Sequence, residues 1–307
     1  MPHAGMRPLL LHLDEALRRQ PQLLQAARAH RAAEILAHDL GPALRLWSRP
    51  PALDALRRRL RARLGAGGPL LTFLGSGDFH HVSALLVERA IEVCDTRLTV
   101  VHFDNHPDWV RFGAGMHCGS WVARAARLPG VARVITVGVC SRDILRPRSR
   151  GADLALLDEG RVEVYPYRMP DGAISLRLRG REWPSIESMG EAAFAELLLG
   201  RIATRDIYVT IDKDVLRGED AVTNWDQGRA SAEFVGGLVR RLRENHALAG
   251  ADVTGDWSPP VYADGSQRWL KRAEAFIDQP WRRPGTDALL VNEQVNLQLL
   301  RHFGAAA

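Results

Sequence analysis

The chain has 307 residues, of which 46% are hydrophobic and 25% charged, the balance of an ordinary globular protein with enough apolar material for a core. No stretch reaches the about 18 to 20 uninterrupted apolar residues that a membrane span needs. The formal charge of +5 comes almost entirely from arginines interleaved with Leu and Ala, as on solvated helix faces, so we expect neither nucleic acid nor a membrane as a partner.

The N-terminus and the cysteines both indicate a cytoplasmic protein. Residues 1–14 lack the basic region, apolar block and cleavage site of a secretory signal. Cys94, Cys118 and Cys140 are odd in number and have no CxxC spacing, which favours reduced thiols over a disulfide framework or a zinc ribbon.

The first part of the chain, residues 8–65, is rich in Leu, Ala and Arg at helical spacing. Pro21, Gly41 and the pair at 50–51 interrupt the pattern, which predicts two or three helices. We therefore expect residues 1–65 to form an N-terminal helical extension packed on a main domain, residues 66–307.

From residue 70 onward, short apolar runs alternate with helical segments. The predicted strands are 70–74, 98–103, 131–139, 162–165, 207–211 and 249–253. The predicted helices are 80–93, 231–244 (with Ser231 as N-cap) and 292–302. This alternation predicts a mostly parallel sheet between helical layers, a three-layer α/β/α fold, in which ligands bind beyond the carboxyl ends of the strands.

The strongest local pattern is Asp104, His106 and Asp108, at alternate positions directly after a predicted strand. Continued extended geometry would place the three side chains on one side, converging on one point. Crowding two carboxylates in this way is costly unless a cation neutralises them, which favours a metal site. The alternative is a solvated acidic turn with His106 as an incidental donor.

Two further polar motifs follow predicted strands. Asp212 and Asp214 end the strand at 207–211, although DxD patterns are also common in turns. Residues 75–81, Gly-Ser-Gly-Asp-Phe-His-His, form a strand-to-helix turn in which Asp78 could simply cap the helix while a neighbouring histidine binds metal. The turn lacks the lysine of a phosphate-binding loop.

Together and in this order, the three motifs resemble the arginase/agmatinase (ureohydrolase) superfamily, whose typical forms are GGDHS, DAHxD and SxDxDxxDP. The resemblance covers roughly residues 70–260, including similar segments at 228–241 and 252–259, and does not reach the first 60 residues. It implies the arginase-like α/β/α fold.

The resemblance also implies a site for two Mn²⁺ ions per chain, and a donor set of many oxygens with few imidazoles suits Mn²⁺. Phe79 departs from the family pattern, which leaves His81 as an alternative to His80. The implied ligands are His80, Asp104, His106, Asp108, Asp212 and Asp214.

Three residues are implied to take part in catalysis: Asp108 beside the metals, His117 and Asp256. His117 is similar to the family's loop histidine, which relays protons to the leaving amine. Asp256 matches the glutamate that pairs with the substrate's guanidinium, but it is one methylene shorter and follows an extra Gly255. Cys118 is not expected to be a nucleophile.

The expected function is hydrolysis of a guanidino or amidino C–N bond, releasing urea or a urea-like product. The main alternative is a metal-dependent amidohydrolase or deacetylase of the same fold, which would not need Asp256 in the pocket. A non-catalytic metal-binding protein, its pocket blocked by Trp109 or Trp257, is the third possibility. The expected partner is a small guanidino or amide substrate, and self-association is left open.

Overall fold

The computed structural model describes residues 6–65, 67–94, 96–280 and 287–304. The strands are β1 (Arg7–His12), β2 (Ala33–Leu36), β3 (Trp47–Ser48), β4 (Leu70–Phe73), β5 (Leu98–Phe103), β6 (Met116–His117), β7 (Val131–Val139), β8 (Val162–Pro166), β9 (Ser175–Leu178), β10 (Arg181–Pro184), β11 (Asp206–Asp212) and β12 (Ala247–Thr254). The helices are α1 (Pro21–Ala29), α2 (Gly41–Leu44), α3 (Pro50–Leu64), α4 (Ser83–Cys94), α5 (Trp121–Ala125), α6 (Ala155–Asp158), α7 (Ile186–Met189), α8 (Glu191–Arg201), α9 (Ala232–Asn245), α10 (Ser266–Asp278) and α11 (Asp287–His302).

Eight strands form one sheet in the order β2-β1-β4-β12-β11-β5-β7-β8. All seven pairings in it are parallel. Every residue of β4 and β5 is buried, as expected for parallel strands that helices cover on both faces. Among the helices, α11 contacts α1 and α9, α9 contacts α8, and α4 contacts α5. The predicted three-layer α/β/α fold is confirmed.

The six predicted strands correspond to β4, β5, β7, β8, β11 and β12. The predicted helix at 231–244 is α9, and the Ser231 side chain accepts a hydrogen bond from the backbone N–H of Phe234 (3.1 Å). The predicted helix at 80–93 begins as a 3₁₀ turn over Gly77–Val82 and becomes α-helical only at Ser83.

The prediction that the N-terminal segment is purely helical is wrong. β1 and β2 lie in it, and both belong to the central sheet, where β1 pairs with β4. The run Leu9–Leu11 is fully buried, and a short continuous apolar run of this kind fits a buried strand as well as a helix by periodicity alone. The predicted boundary near residue 65 follows the end of α3, and residues 1–5 and 66 lie outside the described part of the chain.

The helix α10 was not predicted from the sequence. Its C-terminal residues, Ile277 and Asp278, line a cavity that also contains residues from the ends of several strands. Within the described ranges, no helix combines the length and the apolar character that crossing a bilayer requires.

Candidate metal centre

The site lies at one edge of the sheet, beyond the ends of β4, β5 and β11. β4, β12, β11 and β5 are adjacent and parallel, so the loops that follow them meet at one edge of the sheet. A cavity of about 360 Å³ opens there, within the size range of small-molecule sites. All six predicted ligands line it, together with His117 and Cys118.

The turn after β4 presents His80 to three carboxylates. Its Nδ1 lies 3.0 Å from Asp104 Oδ2, 3.3 Å from Asp108 Oδ2 and 3.5 Å from Asp212 Oδ2. On the other side of the ring, Nε2 lies 2.9 Å from Thr210 Oγ1. Gly77 permits this approach, because a Cβ there would stand 2.7 Å from Asp212 Oδ2.

His81 points elsewhere. It is completely buried, and neither ring nitrogen has a hydrogen-bond partner among the described residues. Burial, with the nearby side chains of His117 and Lys271, holds the pKa of His81 well below its usual range. Of the two alternatives, the structure brings His80 to the cluster.

We therefore predict that His80→Ala weakens metal binding while His81→Leu does not. Leucine removes two unpartnered buried nitrogens at similar volume, so stability should not fall. Metal content after dialysis and thermal unfolding of both variants would check this. Loss of metal from the His81 variant, with retention in the His80 variant, would contradict the assignment.

Residues 104–108 converge on the site, but not through extended backbone as predicted. Asp104 Oδ1 accepts a hydrogen bond from the N–H of His106 (2.5 Å), and Asp108 has a left-handed backbone (φ 49°). That conformation is uncommon for a residue with a Cβ, although Asp tolerates it better than most. Trp121 Nε1 then donates to Asp108 Oδ2 (2.8 Å). The chain therefore turns back to bring Asp108 beside His80.

Backbone donors also fix the two aspartates after β11. Asp212 Oδ1 accepts from the N–H of Asp214 (3.0 Å), and Asp214 Oδ1 accepts from the N–H of Asn105 (2.9 Å). The second oxygen of each carboxylate faces an imidazole, since Asp214 Oδ2 lies 2.9 Å from His106 Nδ1. These carboxylates are held in place before any ligand arrives.

Two groups of potential metal ligands result, and Asp104 belongs to both. In each group the ligand atoms lie within 4.8 Å of one another. The inner cluster consists of His80, His102, Asp104 and Asp108, all buried. The outer cluster consists of Asp104, His106 and Asp214.

Electrostatics at the site reflect the crowding of buried carboxylates. Burial and the negative charge of Asp104 raise the pKa of Asp212 to about 6. The same two causes raise the pKa of Asp214 well above its usual range. Burial alone would lower the pKa of His80, but hydrogen bonds to Asp104 and Asp108 outweigh it and raise that pKa. Without a cation, the cluster therefore holds protons.

The donor set fits divalent cations. Thr210 donates its hydroxyl proton to Asp252 (2.8 Å), so its oxygen accepts from Nε2–H of His80. A neutral His80 then carries no proton on Nδ1, and that lone pair faces carboxylate oxygens. A divalent cation between this lone pair and the carboxylates would take the place of the protons that otherwise separate them, and neutral imidazole with carboxylate is a common ligand combination for divalent metals.

His117 lies at the wall of the cavity on β6, which pairs with β3 and sets His117 opposite Trp47. Its Nδ1 accepts a hydrogen bond from the N–H of Gly119 (2.8 Å), so a neutral ring carries its proton on Nε2. Nε2–H donates to Glu274 on α10. The Trp47 indole N–H donates to the other Glu274 oxygen (2.9 Å). The N-terminal segment and α10 thus orient this histidine.

Asp256 does not lie at the cavity. It is 2% exposed and forms an ion pair with Lys213, which is completely buried. The Lys213 ammonium also donates to Asn296 Oδ1 (2.9 Å). Gly255 makes this packing possible, because a Cβ there would stand 2.4 Å from Asp212 Oδ1. The structure therefore does not bring Asp256 to the substrate position implied by the resemblance; an internal cation already occupies its carboxylate.

Sequence reasoning missed several residues of this site. His102, near the end of β5, lies two positions before Asp104, and strand alternation could have revealed it. Asp226 accepts from His106 Nε2 (2.9 Å), and Glu274 comes from a helix that was not predicted; neither had a local signal. Burial raises the pKa of Cys118 well above its usual range, consistent with the expectation that this thiol is not a nucleophile.

Comparisons with known proteins agree with this architecture. No protein-family model matches the chain. An uncharacterised protein of Thermotoga maritima is 25% identical over 210 residues, covering 68% of this chain and 65% of that protein, so the match spans less than two thirds of the relative. Proclavaminate amidino hydrolase from Streptomyces clavuligerus superposes with a TM-score of 0.62 at 15% identity, covering 100% of this chain and 94% of the other.

Arginase from Bacillus caldovelox superposes with a TM-score of 0.61 at 14% identity, covering 98% of this chain and 99% of that one. At such low identity the likeness shows the fold alone. The chain has an arginase-like α/β/α fold.

Proposed function

We propose that the protein is a metal-dependent hydrolase that cleaves a C–N bond at a planar guanidino or amidino carbon, using two divalent ions, Mn²⁺ in the first instance. The observation that carries the proposal is the pair of ligand clusters joined by Asp104 at the floor of a cavity. The similarity in fold to an amidino hydrolase and an arginase favours this class of bond. A cavity of about 360 Å³ suits a small molecule.

The chain's own residues would hold the ions and manage the proton. His80, Asp104 and Asp108 would hold one ion, His106 and Asp214 the other, with Asp104 and Asp212 available to both. Bound divalent ions polarise the substrate and lower the pKa of water enough for it to attack near neutral pH. The His117–Glu274 pair, joined through Nε2 of the histidine, would take up the proton that the attacking water releases and pass it to the departing nitrogen.

We expect His117→Ala to keep its metal and lose turnover by about 10²- to 10⁴-fold, the usual contribution of a positioned acid or base. Glu274→Gln retains an acceptor for Nε2–H but cannot take up a proton, so its loss should be smaller. The measurements are kcat and metal content for both variants. Near-normal kcat for the alanine variant would remove the proton-relay role.

A second candidate is hydrolysis of a planar amide by the same centre. The observation that favours it is the Lys213–Asp256 pair, which leaves that carboxylate without spare capacity for a substrate cation. Trp109 forms part of the cavity wall and Trp257 does not line the cavity, so neither tryptophan fills the space that a substrate would need.

The test is a screen of the Mn²⁺-loaded protein against guanidino, formimidoyl and acetylated-amine compounds, following urea, ammonia or amine release. Release that requires the metal and His117 supports the proposed chemistry. Turnover of acetylated amines alone moves the assignment to the amide hydrolase. Absence of turnover across all three classes, with metal bound, contradicts both.

A further inference from the structure

His102 extends the alternation of the strongest motif by one step. Residues 102, 104, 106 and 108 read His-x-Asp-x-His-x-Asp. His102 is the last but one residue of β5, and successive side chains on a strand point to opposite faces. His102 and Asp104 therefore point the same way, toward the metal centre.

The His102 ring packs against the other residues of the inner cluster. It is completely buried, and its Nε2 lies 2.9 Å from Asp104 Oδ2. Its centroid is 5.1 Å from that of His80 and 5.0 Å from that of Trp121. Donor atoms bound at about 2.1 Å to one ion lie roughly 3 to 4.2 Å apart. Asp104 Oδ2, at 2.9 Å from His102 Nε2 and 3.0 Å from His80 Nδ1, matches the near edge of such a shell.

A threonine lies behind each of the two imidazoles. Thr136 on β7 lies 3.1 Å from His102 Nδ1, as Thr210 on β11 lies 2.9 Å from His80 Nε2. Metal-bound histidines almost always donate their second ring N–H to an oxygen, which fixes the tautomer and orients the ring. A proton on His102 Nδ1, donated to Thr136, leaves the Nε2 lone pair facing the cluster.

We propose that His102 is a metal ligand through Nε2, so that two imidazoles, His80 and His102, hold the ion of the inner cluster. The inference rests on the metal centre of the proposed function and goes beyond the six ligands implied by the resemblance. Two imidazoles in the inner cluster and one in the outer cluster would make the two metal positions chemically different. A site with two imidazoles favours Zn²⁺, Fe²⁺ or Co²⁺ over Mn²⁺, whereas the outer cluster, with one, favours Mn²⁺ more.

The first test counts imidazoles directly. The full-length His106→Ala variant would be loaded with one equivalent of Zn²⁺ so that the inner cluster alone is filled. X-ray absorption at the zinc edge should then show two imidazoles. One imidazole would overturn the assignment of His102. A protein that binds no Zn²⁺ even with His106 intact would overturn both this inference and the metal centre on which it rests.

The second test compares affinities by competition of Zn²⁺ with a chelator. His102→Leu should bind Zn²⁺ at least about 100-fold more weakly. Loss of a residue that only hydrogen-bonds to a metal ligand already lowers metal affinity by about 10- to 100-fold. Thr136→Val removes only the hydroxyl behind the ring, so its Zn²⁺ affinity should fall by about 10- to 100-fold. Zn²⁺ affinity in His102→Leu equal to that of the parent would contradict the proposal. If His102→Leu does not fold, the imidazole count in the His106 variant still decides the question.

Discussion

Replacing Asp104 with alanine should release both metal ions and abolish turnover. Asp104 belongs to the inner and the outer cluster, and its two oxygens face different partners: Oδ2 lies against His80 and His102, and Oδ1 lies 3.5 Å from His106 Nδ1. No other residue in the described part of the chain belongs to both groups. Loss of a residue that only hydrogen-bonds to a metal ligand already lowers metal affinity by about 10- to 100-fold. We therefore expect metal affinity at each of the two positions to fall by at least about 100-fold.

The matched variant is His106→Ala, which damages the outer cluster alone. Elemental analysis after dialysis should give about two ions per chain for the parent, one for His106→Ala and none for Asp104→Ala, with urea denaturation checking that each variant is folded. Asp212→Ala should also reduce metal content. If the Asp104 variant keeps two ions, the shared carboxylate is wrongly assigned and the site must be rebuilt around other residues.

The central sheet could be predicted from the sequence wherever strand and turn signals agreed. β5 is a continuous apolar run ending in a polar motif, and it was predicted with the observed bounds. β1 was missed because its leucines lie in a segment whose Ala and Arg content favours helix, and pairing with β4 decided its structure instead. Local composition cannot report a contact with a strand about sixty residues away.

The sequence also predicted that the six candidate ligands lie together, because the carboxyl ends of parallel strands meet at one edge of a sheet. Their assignment as ligands remains a prediction. Lys213 shows where local reasoning stops. A lysine between two aspartates reads as a solvated side chain, yet it is completely buried, and its partners Asp256 and Asn296 lie 43 and 83 positions away.

Because Asp256 pairs with Lys213, mutation of Asp256 should affect the stability of the fold rather than substrate binding. A carboxylate reserved for substrate would, on neutralisation, raise KM and leave the folded protein intact. Asp256 instead neutralises a buried ammonium group whose pKa burial lowers and Asp256 partly restores. Asn296 Nδ2 also lies 3.3 Å from both Asp256 oxygens. The carboxylate is thus part of the packing beneath the site.

Asp256→Asn should therefore destabilise the fold by about 3 to 5 kcal/mol, the usual cost of removing one partner of a buried ion pair. Lys213→Met should also be destabilising, because it leaves the carboxylate buried without its cation. The double variant removes both charges, so its loss should be much smaller than the sum of the two single losses. Free energies of unfolding of the four metal-loaded proteins in urea measure this coupling. The opposite result would be small, additive changes in stability together with a KM raised by about two orders of magnitude in Asp256→Asn. It would mean that Asp256 leaves Lys213 and binds a cationic substrate. The guanidino assignment would then have the carboxylate that it lacks in this structure.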